Sequence, residues 1–297
     1  MHMGQNSEIR ITEALLPPEM ASSAVNTGIS KARMGLLKTG MLAILAGAFI
    51  AFGAIFSTVT STGSTLPFGL TRLLSGLTFS LGLILVVVGG AELFTGNNLM
   101  IMGWASRKIS TSSVLRNWII VYTGNMLGAF SIVLIIWLSG HPSYGNGAIG
   151  EEMVQIAASK CTYTGLQAFM LGILCNILVC LAIWLCYSSK TVHGRILAIV
   201  FPITAFVAAG FEHSVANMYF IPMGLVVKEW SNPVLLGFLS SNPDLFNELT
   251  WGNFLLKNLL PVSLGNIVGG SLFVGIAYWF IYSSKWNKLT KEKQLKI

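Results

Sequence analysis

Gly89-Gly90-Ala91-Glu92-Leu93-Phe94-Thr95-Gly96-Asn97 interrupts residues 73–106, a stretch that otherwise holds no Asp, Glu, Lys or Arg. Gly210-Phe211-Glu212-His213 does the same to residues 196–227, where Glu212 is again the single charged side chain. A helix that crosses a bilayer needs about 20 mostly apolar residues. Both stretches are long enough, but glycines followed by a carboxylate are poor components of a lipid-facing helix. Non-helical backbone at that depth persists only inside protein or along a cavity. Two broken helices are therefore predicted to meet near the bilayer centre, their loop dipoles and half-helix ends lining a path. Glu92 and Glu212 have two possible roles there, lining the path or capping the loops by accepting backbone N–H bonds. Capping is favoured, because the two positions correspond and unshielded anionic walls would repel small anions.

Outward from the breaks, four further blocks carry no charge: 39–71, 117–150, 161–189 and 258–284. Six spans follow, about 40–60, 69–105, 115–138, 165–187, 195–226 and 259–283. The fold class expected is an all-α membrane protein. Composition agrees: 54% of the 297 residues are hydrophobic and only 10% charged, whereas soluble domains carry about a quarter of their residues as charges. The net charge of +7 does not indicate nucleic acid, since no basic stripe with interleaved aromatics is present. It is an orientation signal. Fourteen of the 18 basic residues fall in an N-terminal arm (Arg10, Lys31, Arg33, Lys38), two connections (Arg107, Lys108, Arg116; Lys190, Arg195) and a tail (Lys285, Lys288, Lys291, Lys293, Lys296). The positive-inside rule places these, and both termini, on the cytoplasmic side. Arg72, Lys160, Lys228 and Lys257 are left outside. The organisation expected is an arm, 1–38, with an amphipathic helix near 18–36; a six-span body, 39–284, in repeats of about 39–138 and 165–284; and a basic tail, 285–297. No cleavable leader is read, since residues 1–38 lack an apolar core.

The second half repeats the first. Met41-Leu42-x-Ile44-Leu45 recurs as Met170-Leu171-x-Ile173-Leu174, and Glu92-x4-Asn97 as Glu212-x4-Asn217. Arg116-Asn117-x3-Val121-x2-Gly124-Asn125-x2-Gly128 recurs as Lys257-Asn258-x3-Val262-x2-Gly265-Asn266-x2-Gly269. Three spans per repeat, an odd number, invert the second copy across the membrane, as in many channels and transporters. The glycine pairs are expected to pack helices within a protomer, with Asn125 and Asn266 bonding across them. Trp104, Trp118, Trp137, Trp184, Trp279 and Trp286 read as interfacial anchors. Cys161, Cys175, Cys180 and Cys186 lack metal-ligand spacing and read as small packing residues.

Ala91-Glu92-Leu93-Phe94-Thr95-Gly96-Asn97, Gly210-Phe211-Glu212-His213-Ser214-Val215-Ala216-Asn217-Met218-Tyr219-Phe220-Ile221-Pro222 and Asn258-Leu259-Leu260-Pro261-Val262-x2-Gly265-Asn266-x2-Gly269-Gly270 resemble the signatures of the formate/nitrite transporter family, and within it the bacterial formate channels. The likeness runs from Leu15 to about Tyr282. Glu92 stands where such channels often have Asp. The resemblance implies a homopentamer of aquaporin-like protomers in the bacterial cytoplasmic membrane, surrounded by membrane lipids. Each protomer would have its own pore for formate or other small monovalent anions. Thr95 and His213 match the family's central pair; Phe79 and Phe206 its outer constriction; Leu83, Leu93, Phe94 and Val179 its inner constriction and loop. Lys160 and Asn176 match residues of the outer vestibule and fourth span, and Asn217 a polar group beside the histidine. In the family the arm can cover the cytoplasmic mouth, giving pH gating, and contact pyruvate formate-lyase. Aquaporins are disfavoured, because Asn232-Pro233 and Asn242-Pro243 lie in an outer connection and neither is followed by Ala.

Formate transport is a desolvation problem. A bare carboxylate at mid-membrane costs several kcal/mol even after relaxation, while the neutral acid, with a pKa near 4, is about a thousandth or less of the pool at neutral pH. Lys160 would concentrate anions at the mouth, and apolar rings would exclude water. Of His2, His141, His193 and His213, only His213 lies deep in a span; it can offer an N–H, or a proton if charged. Burial disfavours the imidazolium and Glu212 favours it, which leaves its state open. A nitrite or hydrosulfide channel of the same family, or an ion-coupled small-anion transporter, shares these features. A membrane enzyme is disfavoured: no HExxH, GxSxG or Walker pattern appears, and no cofactor motif or metal set.

Overall fold

The computed structural model describes residues 14–230 and 246–283, which are helices and short connections without a strand. Arg10, the five lysines of the tail, Trp286 and both Asn-Pro pairs lie outside the described residues. Five helices are long and apolar enough to cross a membrane: α2 (Leu36–Ser61), α3 (Phe68–Gly89), α6 (Thr111–Leu138), α8 (Gly165–Ser188) and α11 (Trp251–Ser283). The remaining predicted span, 195–226, is two helices, α9 (Val192–Ala208) and α10 (Ser214–Trp230). The other interrupted span likewise resolves into α3, a non-helical step, and a descending half-helix made of α4 (Phe94–Asn97), a 3-10 turn Asn98–Met100 and α5 (Ile101–Ala105). The protein is a multi-pass membrane protein.

Each break has the same local cause. Gly90 and Gly210 take left-handed backbone, φ 79° and 77°, a conformation that penalises a Cβ and ends helices. The residue after each glycine donates its N–H back to the helix it leaves, Ala91 to Val86 O at 2.9 Å and Phe211 to Phe206 O at 3.0 Å. The next residue then crosses to a neighbour: Glu92 N–H bonds Leu42 O on α2 at 3.2 Å, and Glu212 N–H bonds Leu171 O on α8 at 3.3 Å. Leu42 and Leu171 are equivalent in the repeated Met-Leu-x-Ile-Leu motif.

The glycine motifs pack helices inside the protomer, as expected from their spacing. α2 lies against α6 and α8 against α11, so closely that a Cβ on Gly128 would collide with the Ile44 carbonyl and one on Gly269 with that of Ile173. The correspondence of α6 and α11 is incomplete. α11 contains wide π-type turns at Phe254–Leu259 and Val268–Ile276. The second brings Gly270 against the Asn176 amide, where a side chain has no room.

The repeat extends beyond the three spans. α1 (Pro17–Arg33) precedes the first and α7 (Ala148–Cys161) the fourth. α1 starts with Pro17 and Pro18 and with Glu19 accepting the Leu16 N–H at 2.9 Å, which satisfies an otherwise orphan donor. It does not lie free at the surface: Met20, Ala21 and Ala24 are buried with Met102 and Trp184. The segment placed by composition in a polar arm is, from Pro17 on, part of the packed body.

Candidate functional site

An asparagine from the third span of each repeat organises each break. Asn125 Oδ1 accepts the Phe94 N–H at 2.9 Å, while its Nδ2 donates to the Ala43 and Glu92 carbonyls at 2.8 and 2.9 Å. Asn266 Oδ1 accepts the Ser214 N–H at 2.9 Å, and its Nδ2 donates to the Gly172 and Glu212 carbonyls at 2.8 and 3.0 Å. Both side chains are fully buried. They bond across helices, as their position suggested, and also cap the half-helix starts, the role assigned above to the carboxylates.

The carboxylates do something else, which corrects that assignment. Glu92 accepts from Lys31 Nζ at 2.6 Å and Asn97 Nδ2 at 2.7 Å; Glu212 accepts from Lys160 Nζ at 2.7 Å and from Asn217 and Asn258 Nδ2 at 2.6 and 3.1 Å. No backbone N–H bond to either carboxylate is present among the described residues. A buried carboxylate needs a cation and hydrogen bonds, and at each break the Asn amide already takes the first N–H of the half-helix, that of Phe94 or Ser214. Asn97 and Asn217 continue each network to Asn117 and Asn258, at 2.8 and 2.7 Å. Lys31 and Lys160 are thus inverted counterparts, carried by α1 and α7. Lys31 was assigned only to the positive-inside count; its equivalence to Lys160 could have been found by extending the repeat upstream of Met41 and Met170. The two networks are not identical: Asn258 Nδ2 also reaches Glu212 and the Lys160 carbonyl, bonds with no counterpart from Asn117 among the described residues. Lys31 also reaches Asn97 Oδ1 at 2.8 Å, whereas Asn217 Oδ1 has no partner.

Between the breaks, Thr95 Oγ1 and His213 Nε2 stand 2.9 Å apart, both residues buried. His213 Nδ1 accepts the Ala216 N–H at 3.0 Å, so the ring proton of this arrangement sits on Nε2 and points at Thr95. The threonine hydroxyl then keeps its own proton to donate. An imidazolium would set an N–H at Nδ1 against the Ala216 N–H, so charging the ring requires that bond to break.

Beside this pair is a cavity of about 470 Å³, with Lys160, Glu212, His213 and Asn217 in its walls. Phe79 and Phe206 meet edge to face, ring centroids 5.6 Å apart, and Phe206 stacks on His213 at 5.9 Å. Phe220 completes this aromatic group, stacked on Phe79 at 6.2 Å with Lys160 Nζ 5.4 Å above its ring. Phe220 stands in one of the quoted motifs, seven residues after His213, but motif reading gave it no role. Leu83, Leu93, Phe94 and Val179 are all buried; Phe94 packs on Tyr122 and Trp118 of α6, at 4.8 and 6.3 Å.

Two expectations change in detail. Lys160 lines this cavity, but its charge is paired with Glu212 at 2.7 Å, so it is not a bare attractor. Asn176, expected at the pore centre, has its amide turned into the scaffold instead: Nδ2 lies 2.6 Å from Asn266 O, 2.8 Å from Asn98 Oδ1 and 3.3 Å from Thr95 O. It holds the loop that presents Thr95, which is a supporting position. Among the described residues no cluster of His, Cys, Asp or Glu could hold a metal ion.

The family model for formate/nitrite transporters matches residues 18–280. The formate channel FocA of Escherichia coli (strain K12) is 45% identical over 271 residues, covering 91% of this chain and 95% of the relative. A probable formate transporter of Methanothermobacter thermautotrophicus is 39% identical over 279 residues, covering 88% and 94%. The solved structure of a pentameric formate channel with formate bound superposes with a TM-score of 0.78 at 42% identity, covering 84% of this chain and 98% of that one.

Proposed function

The chain belongs to the formate/nitrite transporter family, and on that premise we propose that it conducts formate across the bacterial cytoplasmic membrane, through one pore in each protomer of a homopentamer, with both termini cytoplasmic. The observation that carries this reading is the contact of Thr95 with His213 between the two breaks. It places a hydroxyl proton and an imidazole N–H where an anion is most desolvated.

The anion enters the outer vestibule, where the Lys160–Glu212 pair keeps local charge balanced and the unpaired Asn217 Oδ1 accepts from water or from the acid form. Phe79, Phe206 and Phe220 then strip its hydration shell. At the centre formate accepts from the Thr95 hydroxyl, while His213 Nε2–H donates to Thr95 Oγ1. A chain of donors polarises along its length, so the carboxylate charge is partly compensated without an imidazolium. Leu83, Leu93 and Val179 form the inner apolar ring, and Lys31–Glu92 repeats on the cytoplasmic side the balance set by Lys160–Glu212. Named relatives being channels and transporters agrees with a non-enzymatic role.

Proteoliposome flux tests the proposal, comparing formate, nitrite, hydrosulfide, acetate and glycerol at two pH values. Formate passing while glycerol is excluded is expected; a protein that passes glycerol and excludes formate refutes it. Faster nitrite or hydrosulfide flux would redirect the substrate within the family, and accumulation against a gradient would identify an ion-coupled transporter.

A further inference from the structure

We propose that Arg72 is a positioning and anion-recruiting residue of the outer vestibule: its guanidinium holds the carbonyl end of α9 and supplies the positive charge that the paired Lys160 does not. This rests on the reading of the chain as an anion channel and adds a residue to it.

The last four carbonyls of a helix lack intrahelical partners. At the end of α9, Ala205 O accepts from Ala209 N, Phe206 O from Phe211 N and Val207 O from Gly210 N. Ala208 O is left over. Arg72, in the first turns of α3, donates Nε to Ala208 O at 3.3 Å and Nη2 to Val207 O. The planar fork of an arginine suits two adjacent carbonyls; a lysine offers only a point charge. The clamp is one residue from Phe206 on one side and a short loop from His213 on the other, so it sets the outer constriction and the central histidine together.

Charge gives the second argument. The C-terminal end of a helix is its negative end, and the end of α9 opens on the cavity that an incoming anion crosses. Lys160 is paired with Glu212 at 2.7 Å, and Glu152, also in the cavity wall, is held by the Ser61 hydroxyl at 2.6 Å. No carboxylate lies within ion-pair distance of Arg72 among the described residues, so its charge offsets the helix end and acts on the vestibule. At the other break no side chain of the described residues donates to the Val87, Val88 or Gly89 carbonyls. Among the described residues the device belongs to the outer mouth alone.

The test is formate uptake from outside into proteoliposomes holding the wild type, Arg72→Gln or Arg72→Lys, over a range of formate concentrations, at low salt and at about 0.15 M salt. For Arg72→Gln the half-saturating concentration should rise about tenfold at low salt, with little further rise on adding salt. Arg72→Lys keeps the charge but not the fork: half-saturation should stay within about threefold of the wild type while maximal flux falls. Size exclusion and thermal melting report assembly. Should Arg72→Gln not assemble, Arg72→Lys decides by the same split of half-saturation from maximal flux. Unchanged uptake in both variants, or equal losses that track pentamer content, would overturn the inference. Absence of formate flux through the wild type would overturn the channel reading, and this inference with it.

Discussion

Thr95→Val removes one hydroxyl and almost no volume, and the structure says what that hydroxyl does. Thr95 is fully buried, but its ties to the scaffold run through its backbone: its carbonyl accepts from Asn176 Nδ2 at 3.3 Å and Cys180 Sγ at 3.4 Å. Valine keeps both. What is lost is the 2.9 Å contact with His213 Nε2 and the proton offered to the passing anion. A hydrogen bond to a charged group contributes about 1.5–3 kcal/mol, and each 1.36 kcal/mol is tenfold in rate. Formate flux through Thr95→Val should therefore fall by roughly 10- to 150-fold, while the pentamer elutes as for the wild type. Thr95→Ser, which restores the donor, should recover most of the flux. The assay is initial formate uptake into proteoliposomes at matched protein content, with thermal melting alongside. Wild-type flux through Thr95→Val, with an unshifted pH profile, would refute the role given to the hydroxyl and the donor chain built on it.

His213→Asn should abolish or reshape the pH dependence of flux with the pentamer intact, because the group whose charging requires the Ala216 N–H bond to break is gone; an unchanged flux-against-pH curve counts against it. Asn266→Ala should lower stability by about 2 kcal/mol or more, since it uncaps Ser214 and removes the amide donor from the buried Glu212 carbonyl; melting in detergent reads the loss, and an unshifted melt would mean that water replaces the amide. Lys31→Met should destabilise the protein by about 3 kcal/mol or less, because Lys31 is partly exposed and so weaker than a fully buried partner. Adding Glu92→Gln should recover much of that loss, and a double variant no better than the single one would contradict the pairing.

Parts of this architecture were legible without coordinates because they are local or periodic. The sparse charges separate the spans, and Gly90 and Gly210 stand two residues before the acids where the helices end, because a left-handed turn leaves a mark on one residue. The repeat was legible because Asn125 and Asn266 sit in the same register between the same glycines. The partners of the acids were not. Glu92 and Lys31 are separated by 61 residues, and nothing in local spacing distinguishes a lysine that enters the protein from one that marks the cytoplasmic face.

The sequence by itself determined the class of protein, the number and order of its spans, the sites of its two breaks and the family it resembles, since hydropathy, glycine punctuation and repetition act along the chain. Only the tertiary structure decided which atoms face one another. It exchanged the expected roles of carboxylate and amide at each break, moved Asn176 from the path to its support, and brought Arg72 to the end of α9. The physical reason is that a buried polar group must find its partner wherever packing puts one, and in this fold the partner comes from another helix.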